Sequence, residues 1–296
     1  MSYPEIAARM FNTPLMLHEA KGDIIARAFG PRVLGFPEAQ IDVRGGERMG
    51  LVGDDMGQWR EAGDRYYQPT RYGNIAIIEI EGSLINKGKW IGKSSGQTTY
   101  EGIITQVNAV IDDSSVSGVI LEIDSFGGEV TGAFDCAERL FELSQAKPTI
   151  AVLTDHACSA GYLLASAARQ IVIPVNGYAG SIGVISLHVD MSKWLAKEGL
   201  AVTILKAGAH KADLNPYEPL PEDVLERELA DLEAIRVEFA ETVARYRGAR
   251  LTKDAALATE ADVFRGQAAV DAGVADVVAR PSQVLAAFQE ELGRKD

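Results

Sequence analysis

Cysteine is nearly absent from this sequence: Cys136 and Cys158 are its two cysteines in 296 residues. A disulfide framework is therefore improbable on composition, and a multi-cysteine zinc or iron–sulfur site is excluded. Histidine is scarce too, with four residues, and no HExxH metal motif occurs. Basic residues are outnumbered, 29 Lys+Arg against 42 Asp+Glu, for a formal charge of −13. There is no run of five Lys/Arg and no interleaved aromatic stripe, so a phosphate backbone would be repelled; nucleic-acid binding is not expected. No stretch approaches the roughly 18 apolar residues of a membrane-spanning helix. The opening residues, MSYPEIAARMFNTPLMLHEAKG, are broken by Pro4 and Pro14 and lack a basic start followed by an apolar run. They do not read as a secretory signal, and the protein is expected to stay in the cytoplasm where it is made.

What is present is an ordinary globular composition, 47% hydrophobic and 24% charged. Residues 1–70 read as an N-terminal arm or propeptide-like segment. It has helical patterns near Ile6–Leu17 and Asp23–Phe29 and a linker over Gly45–Pro69. From Asn74 the pattern changes to apolar strands alternating with helices. Strands are expected at NIAIIEIEG (74–82), SGVILEID (117–124), TIAVLT (149–154), IVIP (171–174), GSIGVIS (180–186) and AVTILK (201–206), with a last one at 275–279. Helices are expected at 102–111, 130–144, 160–169 and 191–198. A long one should run from Pro221 to about Tyr246, since proline fits a first helical turn. Eight acids between Glu222 and Glu241 face Arg227 and Arg236, the pattern of a solvated helix face. The alternation predicts an α/β domain over 71–280, with a mostly parallel sheet covered by helices and a C-terminal helix or tail at 281–296. Ligands of such sheets gather at the carboxyl ends of the strands, here the loops after Asp124, Thr154 and Lys206.

Three segments at those loops could carry chemistry. In DSFGGEV (124–130), Gly127 and Gly128 would let the backbone approach a ligand and aim free N–H groups at a phosphate or an oxyanion; a plain tight turn reads equally well. In HACSAGYLLASAA (156–168), Ser159 stands among small residues where a strand meets a helix. That is the setting of an exposed nucleophile, with the Ala160 amide behind it; it is also a favoured helix N-cap position. Cys158 is a rival nucleophile, though a small buried residue is the commoner fate of a free cysteine. In AGAHKAD (207–213), Lys211 follows a strand at the same end of the sheet. A lysine acts as a general base only when its amine is neutral, which burial favours; surface solvation is the ordinary fate. His156 and His210 keep a Ser–His arrangement open. GKWIGKS (88–94) is one residue short of a phosphate loop and has no convincing helix after it.

In their shared order these pieces, with GSIGVI and FRGQAAVDAGVAD, resemble the signal peptide peptidase/protease IV family from about Gly73 to Val278. These are serine peptidases with a Ser–Lys dyad on a Clp-protease/crotonase-like fold. The match is strongest to the capsid (prohead) maturation proteases of lambda-like phages, through IAARMFNTPLML, AFDCAERL and HKADLNPYEPLPEDV. Phe126 stands where the family usually has proline before the GG pair. The resemblance implies Ser159 as nucleophile, Lys211 as general base and oxyanion amides from Gly128 (or Gly127) and Ala160, with Ser181 orienting the lysine. It implies no metal or cofactor and a ring-shaped homo-oligomer, with helix 221–246 as a plausible contact. The implied location is the host cytoplasm, inside the assembling procapsid. Expected substrates are portal, scaffold or capsid proteins and the chain itself. A host-type cytoplasmic signal peptide peptidase and a non-catalytic scaffold on the same fold are the alternatives.

Overall fold

The computed structural model describes residues 11–18, 69–88 and 96–293. The expected helix over Asp23–Phe29, nearly all of the 45–69 linker and most of the 88–94 segment lie outside the described residues.

Four long apolar segments form the centre of the sheet: β3 (Ile75–Ile85), β5 (Gly118–Glu129), β6 (Thr149–Cys158) and β7 (Gln170–Ile173). The order along the main path is β10-β7-β6-β5-β3-β2, with β2 (Thr70–Tyr72) antiparallel at one edge and β10 (Val277–Val278) parallel at the other. The β3–β5, β5–β6 and β6–β7 pairings are parallel. Off this path, β4 (Gln97–Thr99) pairs with β3, β8 (Tyr178–Gly180) with β6 and β9 (Val263–Arg265), and β1 (Leu15–Leu17) with β5. The mostly parallel α/β sheet read from the alternating pattern is thus observed.

Each central strand is apolar on both faces because both are covered. Ala76, Ile78, Ile80, Val119, Leu121 and Ile123 point into the main core. There they meet α1 (Tyr100–Ile111), α2 (Ala133–Ala146), α3 (Ala160–Ser166) and part of α5 (Glu222–Arg247). The intervening Ile75, Ile77 and Ile120 face the other way, onto Val284, Phe288 and Leu292 of the last helix, α8 (Pro281–Gly293). Period-two alternation sorts the two sets. Burial of each of the Val, Leu, Ile and Phe side chains contributes about 1.5–3 kcal/mol.

The carboxyl end of the long helix α5 is anchored by a buried ion pair. Arg247, 1% exposed, donates to both carboxylate oxygens of Asp276 at 2.8 and 2.9 Å and to the Gly273 carbonyl at 3.0 Å. The Asp276 carboxylate also accepts from the Ile171 amide at 2.7 Å, which ties the helix to β7. Burial pushes the Asp276 carboxyl up, but the hydrogen bonds and charge of Arg247, with the Ile171 amide and Arg250, outweigh it and hold it below the usual range.

Three expectations need correction. The helical pattern over Ile6–Leu17 ends, within the described residues, in an extended segment. Pairing of Leu15–Leu17 with β5 overrides its periodicity, and Pro14 supplies no N–H for a helix. The GSIGVIS strand stops at Gly180. Ser181 turns the chain with φ +56°, and only the single bridges at Ile185 and Leu187 follow among the described residues. AVTILK (201–206) forms no strand: no described segment pairs with it, and Leu205 is 93% exposed.

Candidate active site

Ser159 sits where β6 ends and α3 begins. Its backbone has φ +55° and ψ −122°, a conformation that L-residues rarely adopt. Such strain persists only where the surroundings hold it. Here the Ser159 amide donates to the Gly180 carbonyl at 2.8 Å, and its own carbonyl accepts from Leu163 at 2.9 Å inside the next helix. The side chain does not cap α3. Its hydroxyl instead donates, at a long 3.4 Å, to the Gly183 carbonyl. Ser159 is therefore held as an elbow, not as an N-cap. It is 1% exposed in the isolated chain.

The glycine pair is not the tight turn read from the sequence. β5 runs on to Glu129, and α2 begins at Ala133, so Gly127 and Gly128 lie inside the strand. Both are needed there for lack of room. A Cβ on Gly127 (φ +103°) would stand 2.9 Å from the Ser159 Cβ and overlap the Met16 carbonyl oxygen, and one on Gly128 would overlap the carbonyl of Leu84. The Gly127 amide donates to Ser125 Oγ at 3.1 Å, which ties it up; Ser125 in turn donates to the Gly82 carbonyl at 2.6 Å. Ala160, the first residue of α3, carries one of the amides that no helical carbonyl satisfies. No acceptor for it occurs among the described residues.

Lys211 lies in the turn after Gly208, exposed to solvent. Its ammonium makes no hydrogen bond or ion pair among the described residues, so the isolated chain does not bring it into contact with Ser159. It borders an open concavity of about 540 Å³ with Ile204, Leu214, Tyr217 and Glu228. Beside it His210 and Arg227 converge on Asp213, whose carboxyl is held below its usual range by the His210 hydrogen bond first. Ser181, 9% exposed, has no side-chain partner among the described residues. Its amide donates to Asp262 at 2.8 Å.

The rival groups fall out of reach. Cys158 is 1% exposed, and burial pushes its thiol up to about 12, so it is not a thiolate near neutrality. His156 packs between the rings of Phe126 and Tyr178, at centroid distances of 4.2 and 5.5 Å, and faces Asp124 and Asp155. It makes no hydrogen bond with Ser159 Oγ. Asp124, Asp155 and His156 offer three potential ligand atoms within 4.8 Å of one another, the one such cluster among the described residues.

A serine strained on a strand–helix elbow, beside a diglycine strand in a parallel sheet, is the arrangement of a serine-nucleophile hydrolase. The chain belongs to peptidase family S49, whose model matches residues 142–295. It is 36% identical over 98% of its length to the capsid assembly protease C of Escherichia phage lambda, and 36% identical over 97% to the head-tail preconnector protein GP5 of Enterobacteria phage P21. The chain spans 66% of the first of these proteins and 57% of the second. A putative signal peptide peptidase SppA of Enterococcus faecium is 25% identical over 73% of the chain and 63% of that protein. Among the described residues no helix is long and apolar enough to cross a membrane.

Proposed function

We propose that this chain is a serine endopeptidase that processes procapsid proteins (portal, scaffold or itself) inside the assembling phage head in the host cytoplasm. The observation that carries the reading is the elbow at Ser159, a non-glycine residue held at φ +55° against the Gly127–Gly128 strand, in a family S49 chain. Similarity to a phage capsid assembly protease along nearly the whole chain favours the procapsid over a host signal-peptide pathway.

In this reading the neutral amine of Lys211 takes the Ser159 proton, and Oγ attacks the carbonyl carbon of a substrate peptide bond. The Gly128 and Ala160 amides receive the negative charge on the tetrahedral oxygen. The C–N bond breaks, the amine leaves with the proton from Lys211, and water hydrolyses the acyl-serine ester. Ser181 Oγ accepts from the lysine amine and points it at Ser159.

For that chemistry Lys211 must leave bulk water. The apolar side chains of Leu200, Val202 and Leu205, 56%, 44% and 93% exposed, line the segment leading to it, and Leu225 and Leu229 stand 44% and 55% exposed on α5. Burying these residues between copies of the chain in a ring removes water from the lysine as well, and an ammonium loses its hydration on such burial. Co-expression of wild type and Ser159→Ala with capsid and portal proteins tests the proposal. New termini found by mass spectrometry with wild type alone support it, and identical termini in both samples reject it.

A further inference from the structure

Residues 11–18 lie between the end of β5 and the segment that follows Ser181, beside Ser159, and the channel between those two walls is taken here as the substrate groove. Between them β1 runs antiparallel to β5, with Leu15 opposite Glu129, Met16 opposite Gly128 and Leu17 opposite Gly127. On its other side Leu15 exchanges both backbone hydrogen bonds with Ile185, at 2.8 and 2.9 Å. Asn12 extends the grip: its amide donates to the Leu187 carbonyl at 2.9 Å and its side-chain amide to the Leu214 carbonyl at 2.9 Å. Main-chain bonding along an extended segment, with side-chain pockets setting the register, is how peptides are bound by strand addition.

The register singles out one bond. His18 donates to the Phe126 carbonyl at 2.9 Å. Hydrogen-bonded pairs alternate along an antiparallel ladder, so Met16 and Gly128 form the next such pair, and the Gly128 N–H faces the Met16 carbonyl. A Cβ on Gly127 would overlap that carbonyl oxygen while standing 2.9 Å from the Ser159 Cβ. The Met16 carbonyl therefore lies beside the elbow serine and on a proposed oxyanion donor. The Met16 side chain is wholly buried in the main core, as a specificity pocket would hold it.

We infer that residues 11–18 are bound as this enzyme's own substrate strand, and that Ser159 cleaves the Met16–Leu17 bond. The inference rests on the serine-peptidase reading above. Ser159 Oγ bonds to the Met16 carbonyl carbon, the Met16–Leu17 C–N bond breaks, and Leu17 leaves as a new amino terminus carrying the proton taken from Ser159. Water then hydrolyses the Met16 ester and restores the serine. By the same register, substrates presented in trans are extended segments with a large apolar side chain before the cut. The occupied groove excludes them until residues 1–16 depart.

The test uses the full chain as wild type, Ser159→Ala, Met16→Asp and the conservative Met16→Leu. A synthetic peptide of residues 11–20 and casein serve as substrates in trans, and a fluorophosphonate reports on Ser159. Intact mass of the wild type and of Met16→Leu should show a product beginning at Leu17; Ser159→Ala should stay whole. In Met16→Asp a buried, unpaired carboxylate expels the strand, so the cut disappears and peptide hydrolysis begins without the lag that self-cleavage imposes on the freshly made wild type. A wild-type chain that labels at Ser159 and digests casein, yet stays intact at Met16–Leu17, overturns the inference and leaves the peptidase reading standing. A cut that persists in Ser159→Ala overturns it as well. A chain that neither labels nor digests any protein fails the peptidase reading, and the inference falls with it.

Discussion

Gly127 and Ser159 pack so closely that a methyl group on the glycine would stand 2.9 Å from the serine Cβ. The diglycine end of β5 and the elbow that presents the hydroxyl thus lie side by side. A side chain at 127 would fill the space beside Ser159, which the proposed mechanism gives to the tetrahedral intermediate. Gly128→Ala, whose methyl would overlap the Leu84 carbonyl, is expected to displace the proposed oxyanion amide. Peptide hydrolysis should fall on the order of 10²–10³-fold, the cost of losing one oxyanion donor. The stability loss should be about 1–3 kcal/mol, as for other overpacked sites. Steady-state kinetics beside urea melts check both numbers.

Removing the two side chains of the proposed dyad should silence the enzyme without unfolding it. Ser159→Ala and Lys211→Ala are each expected to lower the rate at least about 10³-fold, as loss of a nucleophile or its base does. Retained hydrolysis in Lys211→Ala, with a pH–rate profile governed by a group near the ordinary imidazole value of about 6.5, would shift the base to a histidine.

Strain at the elbow has a separate signature. Ser159 holds φ +55° and ψ −122°, a conformation that glycine adopts freely and alanine does not. Ser159→Gly should therefore be inactive yet more stable than Ser159→Ala by about 1 kcal/mol. Equal melting temperatures for the two variants would mean that the elbow carries no strain.

Cys158 neighbours Ser159 in sequence but not in chemistry. With its thiol buried and pushed up to about 12, it should resist iodoacetamide in the native state at pH 8, and Cys158→Ala should retain hydrolysis within about twofold of wild type. Mass spectrometry of the alkylated native protein reads the first, an activity assay the second.

The Arg247–Asp276 pair should show in the acid limb of stability. The folded-state Asp276 carboxyl lies below its ordinary value. Its contribution is then complete above the unfolded value of about 4 and is lost as pH falls through the folded one. Asp276→Asn leaves Arg247 buried with a weakened partner and should cost about 3–5 kcal/mol near pH 7. The gap from wild type should narrow below pH 4. Urea unfolding of both proteins from pH 7 to pH 3 measures that gap, and a constant difference would contradict the assignment.

The fold was legible where local pattern and tertiary demand agree. Ile75, Ile77, Ile120 and Val152 could be read as strand residues because a strand buried on both faces is apolar throughout, and few other structures tolerate that. Pro221 marked the start of α5 because it sets its own φ. Ser159 was legible as a nucleophile candidate through its small neighbours at a strand–helix junction. Its choice of elbow over N-cap was not, since both fit the same residues. Gly127 and Gly128 were legible as a place of close approach, but their position inside β5 depends on β1 and β3 lying alongside. The segment 201–206 has a strand's composition, and a strand needs a partner edge that no local pattern supplies.

By itself the sequence settled the alternation of strands and helices, the candidate nucleophile and the family, because side-chain chemistry and period are local properties of the chain. Only the tertiary structure decided which backbone carbonyl meets which amide: that Gly128 faces Met16, and that the Ser159 hydroxyl turns to Gly183 while Lys211 stays in water. These pairings join residues 112 positions apart for Met16 and Gly128 and 24 apart for Ser159 and Gly183. Their energy depends on strand register and packing, which no single segment encodes.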